Sequence, residues 1–392
     1  MNGALSIDQN IWFTGGKVSL SSSLDFMKQL GSGGSRQFMS VPIALQLTQP
    51  IFGVNNLKWN RRIEPVRYEE AKAAFITATE TVTMNAITYF FNLLSAKETL
   101  GTARQNQVNA DRLYEVAGAK RKMGQISENE LLQLKLAALK ARAAVTDAES
   151  NLNAHMFRLR SFLAIGNDLI LEPVVPESAP NLKMEYNQVL NKALERNSFA
   201  HNIRRRQLEA EYEVATARGN LRSVDLFANV GYTGLNKDLS PAYHNLLDNQ
   251  VVEVGVKIPI LDWGKRRGKV RVAKSNRDVT LSKIKKEQMD FDQDIFLLVE
   301  HFNNQAQQLS IANEADKIAQ QRYKTSVETF LIGKINTLDL NDAQSSKDDA
   351  RQKHINELYW YWYYYYQLRS LTLWDFQNNT PLEADFEDIV KK

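Results

Sequence analysis

The sequence predicts an α+β protein that consists of two internal repeats, each made of β-strands followed by a long helical hairpin. A turn motif occurs twice, at Gly124-Gln125-Ile126-Ser127 and at Gly333-Lys334-Ile335-Asn336, and 209 residues (333 minus 124) separate the two copies. Other landmarks keep the same offset: Tyr114 with Tyr323, Leu131 with Leu340, Pro50 with Pro259, and Leu159 with Leu368. A register without gaps over such a long stretch is typical of continuous helix, because one inserted residue would rotate every later side chain. These observations indicate an internal duplication.

Composition narrows the class of protein. The 392 residues carry a formal net charge of +4, and 24% of them are charged. This composition indicates neither a nucleic-acid-binding protein nor a protein with an acidic tail. There is no cysteine, so disulfides and thiolate chemistry are excluded, in keeping with a secreted or envelope protein. No apolar run is long enough to predict a transmembrane helix, and no signal peptide is visible. The second repeat has a helical lead-in that the first lacks, so we expect the natural N-terminus to lie upstream of Met1.

The first repeat is predicted to span residues 1–166. Residues 4–52 alternate apolar with polar side chains, for example from Val18 to Phe26, which predicts strands with one apolar face. A helical hairpin is predicted over residues 55–165 with its tip at Gly124. Its first helix carries a heptad seam in steps of three and four, at Leu100, Ala103, Gln107, Ala110 and Tyr114. Such a seam is typical of a coiled coil.

The second repeat is predicted to span residues 185–375, after a proline-containing connector at residues 167–184. It begins with a lead-in helix at residues 185–219 and continues with strands within residues 224–259. A second helical hairpin follows over residues 265–373, with its tip at Gly333. Residues 376–392 form a C-terminal tail.

In this order the motifs resemble the TolC family of outer-membrane efflux and secretion channels. The residues that carry the resemblance are the two tip motifs, Gln49-Pro50-Ile51-Phe52-Gly53 and Ile258-Pro259-Ile260-Leu261-Asp262-Trp263-Gly264. The resemblance implies a membrane protein whose homotrimer combines a long periplasmic α-helical coiled-coil barrel with one shared twelve-stranded outer-membrane β-barrel, four strands coming from each protomer. Physical reasoning agrees, because a protomer with few strands has unpaired edges that lipid does not tolerate, so copies must close the sheet.

The resemblance also implies a function and partners. It implies a channel subunit in the outer membrane of a Gram-negative bacterium, extending into the periplasm, where it forms an exit duct for efflux or type I secretion. The expected partners are a periplasmic adaptor (membrane fusion) protein, an inner-membrane transporter and outer-membrane lipid, with no nucleic acid and no cofactor. A structural coiled-coil stalk or adhesin of the cell envelope is the alternative. No catalytic triad, metal-ligand spacing or phosphate-binding loop occurs in the sequence, so no enzyme and no metal site is predicted.

Two groups of candidate residues lie near the tips. Asp339 and Asp342 are three residues apart and so share one helix face. The resemblance places them at the periplasmic aperture, together with Phe330, where the family often has a tyrosine; a solvated acidic face is the alternative. The resemblance also implies that the tips dock the adaptor, through Gly124, Ile126, Ser127, Gly333, Ile335 and Asn336.

Three further groups lie away from the tips. Strand-to-helix junctions are predicted at Pro50, Phe52, Gly53, Pro259, Leu261, Trp263 and Gly264. Basic residues follow both junctions and are interpreted as contacts with anionic headgroups, with a solvated helix start as the alternative: Arg61, Arg62, Lys265, Arg266 and Arg267. The run of eight aromatic residues from Tyr359 to Tyr366 is predicted to pack between helices and not to form a membrane aromatic belt.

Overall fold

The structure, a computed structural model, describes residues 2–28, 36–166, 169–175, 180, 182–221, 224–244, 246–257 and 262–386. The chain divides into two compact units. Unit 1 comprises Met1–Ala71 and Phe199–Met289, and unit 2 comprises Lys72–Ser198 and Asp290–Lys392. The predicted α+β class is confirmed. Within the described ranges, no helix is long and apolar enough to cross a membrane.

The helices and strands are as follows. A five-stranded antiparallel sheet in unit 1 follows the order of the sequence: β1 (Asn2–Asn10), β2 (Lys17–Lys28), β3 (Arg36–Pro50), β4 (Asp225–Asn236) and β5 (Leu246–Lys257). The helices are α1 (Asn56–Lys122), α2 (Glu128–Leu163), α3 (Tyr186–Arg196), α4 (Ser198–Leu221), α5 (Leu239–His244), α6 (Lys265–Leu331) and α7 (Thr337–Thr372). A small sheet in unit 2 pairs β6 (Trp374–Asp375) with β7 (Thr380–Pro381).

The sheet holds one strand more than the four that the resemblance implies for each protomer. The additional strand, β1, pairs with β2 over its whole length, from Asn2 opposite Asp25 to Asn10 opposite Lys17. The connecting turn is closed by two hydrogen bonds of 2.8 Å between the backbones of Ile11, Gly15 and Gly16. Gly15 has φ +76°, a conformation that glycine adopts without steric penalty.

Two other differences concern the region that the sequence predicts as the second repeat. The predicted lead-in helix is divided into α3 and α4 at Asn197, whose backbone is extended and whose side-chain amide donates to the carbonyl of Leu371 at 2.6 Å. That bond satisfies a carbonyl at the end of α7, and the extended residue ends α3. The connection between β4 and β5 contains a short helix, α5, that the sequence did not predict. Its backbone accepts a hydrogen bond from the hydroxyl of Ser40, a buried residue of β3, at Ala242.

The main core of unit 2 surrounds the aromatic run of α7. Tyr361 and Tyr365 are buried with Phe302 and Ile295 of α6 and Leu94 of α1. The prediction that this run packs between helices is confirmed for these two tyrosines. The Tyr361 hydroxyl donates to the carbonyl of Pro180, and the Tyr365 hydroxyl donates to the Asp375 carboxylate at 2.7 Å. Both buried hydroxyls therefore have acceptors, as buried polar groups require.

Candidate functional site

One face of the sheet in unit 1 is apolar. Its register aligns Ile7, Leu20, Leu45, Val230 and Val252 in a single row across all five strands. The exposed fraction of these residues lies between 38% and 64%. A contiguous set of exposed apolar side chains is the mark of a surface that meets lipid or another protein. We call this set the apolar row.

The opposite face of the sheet is polar. Because successive side chains of a strand point to opposite faces, the residues next to the apolar row form a row of their own. The register aligns Asp8, Ser19, Gln46, Asn229 and Glu253 across the same five strands. We call this set the polar row. A sheet with one apolar and one polar face suits a wall between hydrocarbon and water.

At the first strand-to-helix junction, the chain leaves the sheet at Pro50, the last residue of β3, which pairs with Asp225. Phe52 is exposed, and Gly53 packs so close to the Pro50 ring that an added Cβ would lie 2.7 Å from the Pro50 Cβ. The Asn55 side chain then accepts a hydrogen bond from the Lys58 N–H at 3.1 Å and caps α1. The predicted junction is thus a tight turn with an outward aromatic ring.

The second junction also turns with an exposed aromatic ring, but its backbone has positive φ at two residues. Pro259 and Leu261, which the sequence placed here, lie outside the described residues. Trp263 has φ +53° and is 91% exposed, and Gly264 has φ +83°. The Asp262 carboxylate accepts hydrogen bonds from the N–H groups of Gly264 at 3.1 Å and Arg266 at 3.0 Å. It therefore caps the first turn of α6, where a negative charge is stabilised by the helix dipole.

The five basic residues near the junctions do not have equivalent surroundings. The Arg62 guanidinium lies 4.8 Å from the centre of the Trp59 ring, and the Arg266 guanidinium lies 3.6 Å from the Asp262 carboxylate. Arg61, Arg62, Lys265 and Arg267 are exposed, and Arg266 is half-buried. Contact of these residues with anionic headgroups stays a prediction.

Both hairpin tips, which lie in unit 2, use the same turn. At the first tip, Gly124 has φ +74°, and its N–H and that of Gln125 donate to the carbonyls of Arg121 and Lys120 at 3.0 and 2.9 Å. At the second tip, Gly333 has φ +78°, and the corresponding bonds run from Gly333 to Phe330 and from Lys334 to Thr329, at 2.9 and 3.0 Å. This pattern is the Schellman motif, which ends a helix at a left-handed residue.

The helices that leave the tips are capped differently. The Ser127 hydroxyl accepts from the Glu130 N–H at 3.2 Å, and the Glu130 carboxylate accepts from the Ser127 N–H at 2.7 Å, which completes a capping box. The Ser127 hydroxyl also donates to this carboxylate, at 2.9 Å, and the two hydrogen bonds donated by the Ser127 N–H and hydroxyl lower the pKa of Glu130. At the second tip the Asn336 side chain accepts from the Asp339 N–H at 2.9 Å. A single side-chain cap therefore starts α7.

The two tips share one apolar cluster. Tyr323 and Leu340 of the second hairpin are buried with Leu134 of the first, and Ile126 and Ile335 pack against them. Phe330 is half-buried in the same cluster, and the Lys120 ammonium lies 5.5 Å from the centre of its ring. A cleft of about 600 Å³ lies between the tips, and Ile126, Gly333, Ile335, Asn336 and Asp339 line it. The structure thus brings together most of the predicted tip residues and Phe330.

The two predicted aperture carboxylates have different surroundings. Both are exposed, but Asp342 forms an ion pair of 2.6 Å with Arg322 of α6, and Arg322 also donates to the Ser346 hydroxyl at 3.2 Å. Asp339 instead lines the cleft between the tips. Asp342 is consequently compensated by a cation of its own chain, and Asp339 faces an open cleft.

The sequence did not predict one ionic contact in unit 2. Arg351 of α7 binds Glu98 of α1 at 2.7 Å and Asp316 of α6 at 3.2 Å. Asp316 is only 4% exposed. Burial alone would lower the pKa of Arg351, but the two carboxylates outweigh it and the pKa is raised. We call this contact the Arg351 tie; no local motif marks it, because its three residues are far apart in the sequence.

Comparison with known proteins agrees with this geometry. The family model described as outer membrane efflux protein matches residues 14–164 and 189–372, which is well over half of the chain. Among curated protein sequences, none matches the chain.

Several solved structures share the fold. One match is CusC, in crystal structures that concern conformational changes accompanying folding and transmembrane channel formation. CusC is 16% identical to this chain, with a TM-score of 0.70, and the match covers 91% of this chain and 83% of CusC. The CmeC outer membrane channel of Campylobacter jejuni is 18% identical with a TM-score of 0.68, covering 96% of this chain and 80% of its own. The outer membrane protein VceC of Vibrio cholerae is 14% identical with a TM-score of 0.68, covering 91% and 86%.

Proposed function

This chain belongs to the outer membrane efflux protein family, and from that premise we propose that it is one subunit of a homotrimeric exit duct. The family places it in the outer membrane of a Gram-negative bacterium, extending into the periplasm. We further propose that the duct serves efflux or type I secretion together with a periplasmic adaptor and an inner-membrane transporter. The protomers would share one barrel in the membrane.

The observation that carries the proposal is the pair of rows on the sheet. The apolar row offers a surface to hydrocarbon, and the polar row offers one to a water-filled lumen. The sheet is open at both ends, because β1 and β5 each have one strand neighbour in the described structure. An open edge is not tolerated in lipid, so further strands must complete the wall. Copies of the same chain provide such strands.

A stripe on α2 supports assembly from copies of this chain. Leu132, Leu136 and Leu139 follow helical spacing along one face, and each is between 53% and 54% exposed. Leucines at such spacing form the packing face of a helix. These leucines are more than half exposed among the described residues of this chain. We propose that a helix of a second protomer covers them.

The experiment that tests the function is the isolation of the protein from outer membranes, followed by chemical cross-linking and planar-bilayer recording. We expect a trimer that conducts ions as a single pore. A protein that assembles in the membrane but never conducts would favour the alternative of a stalk or adhesin. A monomer that stays in solution without detergent would contradict both the trimer and the duct.

We propose that Asp339, Asp342 and Phe330 line the periplasmic aperture. Acidic rings favour cations and bind multivalent cations. Because Arg322 compensates Asp342, Asp339→Asn should reduce cation preference and block by trivalent cations more than Asp342→Asn does. Arg322→Gln should strengthen both properties by releasing the Asp342 charge. If the double variant of both aspartates conducts and is blocked like the parent, these residues do not line the aperture.

We propose that the tips dock the adaptor through the cleft between them. Gly333 has open space around its Cα, and a large side chain there would obstruct a helix that approaches the cleft. Gly333→Trp should therefore weaken adaptor binding and export while the trimer still assembles. Gly333→Ala, which has the same strain at positive φ without the bulk, is the matched control and should keep export. Unchanged export in Gly333→Trp would contradict the docking role.

A further inference from the structure

A cleft of about 700 Å³ lies between α4 and α6 in unit 1. Its lining includes Thr216 and Asn220 of α4 and Arg266 and Lys269 of α6. Asn220 comes five residues (225 minus 220) before the first residue of β4, and Arg266 is the second residue of α6. Both therefore lie at the end of the cleft that is next to the sheet. We call this space the α4–α6 cleft.

Three hydrogen-bond donors in the α4–α6 cleft have no acceptor among the described residues. The Thr216 hydroxyl is buried and forms no hydrogen bond there. The Arg266 guanidinium lies 3.6 Å from the Asp262 carboxylate, which is beyond hydrogen-bond distance. Lys269 is exposed and forms no ion pair within the described part of the chain. Two cations and a hydroxyl can therefore donate to one anion, and phosphate oxygens are strong acceptors for such groups.

A carboxylate lines the opposite end of the same cleft. Glu213 lies seven residues (220 minus 213) before Asn220 in α4, which places it about 10 Å further from the sheet along the helix. Glu213 is exposed and forms no ion pair with a described residue. The cleft thus presents positive charge next to the sheet and negative charge away from it. A ligand with an anion and a cation in that order matches both ends.

We propose that the α4–α6 cleft binds the phosphoethanolamine headgroup of a membrane phospholipid. The phosphate accepts hydrogen bonds from Arg266, Lys269 and Thr216, and the ammonium donates to Glu213. This inference deepens the headgroup contact predicted for the junction, and it rests on the membrane wall proposed above.

The dimensions of a bilayer agree with this placement. In a phospholipid whose acyl chains lie beside the sheet, the phosphate is nearer to the hydrocarbon than the ammonium is. The polar layer on each side of the hydrocarbon is about 5–8 Å thick. Arg266 and Lys269 are three residues apart in α6, or about 4.5 Å along its axis. Both cations therefore fit within the layer that holds the phosphates.

The charges of the cleft select among phospholipids. A phosphocholine headgroup carries the same two charges, but its quaternary ammonium has no N–H to donate to Glu213. A phosphoglycerol headgroup has a phosphate and no cation, so it leaves Glu213 without a partner. Each of these lipids forfeits a hydrogen bond between charged groups, which is among the stronger polar contacts.

Native mass spectrometry of the protein in detergent, titrated with each of the three phospholipids, measures this selection. We expect the phosphoethanolamine lipid to bind at least about tenfold more tightly than the other two. Equal binding of all three would overturn the proposal. Water-soluble phosphoethanolamine is tested beside them, and binding as tight as that of the lipid would overturn the assignment to a membrane lipid.

Two pairs of variants locate the site. Lys269→Gln should weaken binding of the phosphoethanolamine lipid at least about tenfold, whereas Arg267→Gln, which removes the same charge outside the cleft lining, should not. Glu213→Gln should abolish the preference over the phosphoglycerol lipid, and Glu211→Gln, an exposed carboxylate of α4 outside the lining, should keep it. Equal effects of the cleft variants and their controls would overturn the site.

The titration reports on the cleft independently of assembly, because all of its lining residues belong to unit 1 of one protomer. A protein that never forms a trimer would overturn the proposed function, and its lipid selectivity could still be measured. An intact, conducting trimer without lipid selectivity would overturn the headgroup site alone.

Discussion

The two helical hairpins have the same backbone plan and bury very different surfaces. α1 and α6 are both 67 residues long, α2 and α7 are both 36 residues long, and each hairpin turns at a glycine with positive φ. Yet α7 buries nine residues and α2 buries four. The two returning helices therefore have the same length and unlike surroundings.

Equivalent positions show where the divergence lies. Tyr361 of α7 is buried, and the residue of α2 that precedes it by 209 positions, Leu152, is only half-buried. Near the tips, Leu136 of α2 is exposed, and the residue of α7 that follows it by 209 positions is the polar Ser345. Thus α7 packs within its own unit, and α2 exposes an apolar face, which we propose meets a neighbouring protomer. The comparison shows that two hairpins with the same backbone plan can differ in the surfaces that their side chains bury.

The largest effect is expected from Tyr361→Ala. Removing a buried ring should lower the free energy of unfolding by about 3–5 kcal/mol, because it leaves a cavity in the core of unit 2. The equivalent change in the first hairpin, Leu152→Ala, should lower it by about 1–2 kcal/mol, since the side chain is half-buried. Denaturant unfolding in detergent, followed by helical circular dichroism, measures both. Equal losses would contradict the asymmetry between the hairpins.

A smaller and equal effect is expected at the two tips. Gly124→Ala and Gly333→Ala should each destabilise by about 1–2 kcal/mol, because an L-residue is strained at positive φ. Gly118→Ala is the matched control, since it lies in the helical part of α1 and, like the tip glycines, has nothing within 4 Å of an added Cβ. That change should stabilise by about 0.5–1 kcal/mol. A loss of stability in Gly118→Ala would show that space, and not φ, governs these positions.

The smallest effect is a pH dependence of helix stability, expected at the start of α2, where Glu130 completes the cap, and not at the start of α7, which Asn336 caps. The hydrogen bonds from Ser127 lower the pKa of Glu130 in the folded protein. The capping box therefore contributes stability above the unfolded pKa of this carboxyl, about 4.3, and the contribution is lost as pH falls through the lowered folded value. Amide exchange at the start of α2 should speed up in acid. Glu130→Gln should remove that acid response, and an unchanged response would assign it to other carboxyls.

Much of the fold could be predicted because the signals are local. Only glycine adopts positive φ without strain, so Gly124 and Gly333 marked the tips, and alternation marked the strands. The pairing of side chains across elements could not be predicted. Asp342 meets Arg322, and Arg351 meets Glu98 and Asp316, through packing that brings distant residues together. Whether the tips dock an adaptor and the aspartates line an aperture stays a prediction.

The Arg351 tie links α7 to two other helices at once. One planar guanidinium holds carboxylates on two different helices, and its donors have a fixed fork geometry. Displacing α7 along its axis by one residue, about 1.5 Å, stretches both contacts together. A longer slide of α7 therefore has to break two ion pairs, to two different helices, before the helix is free to move.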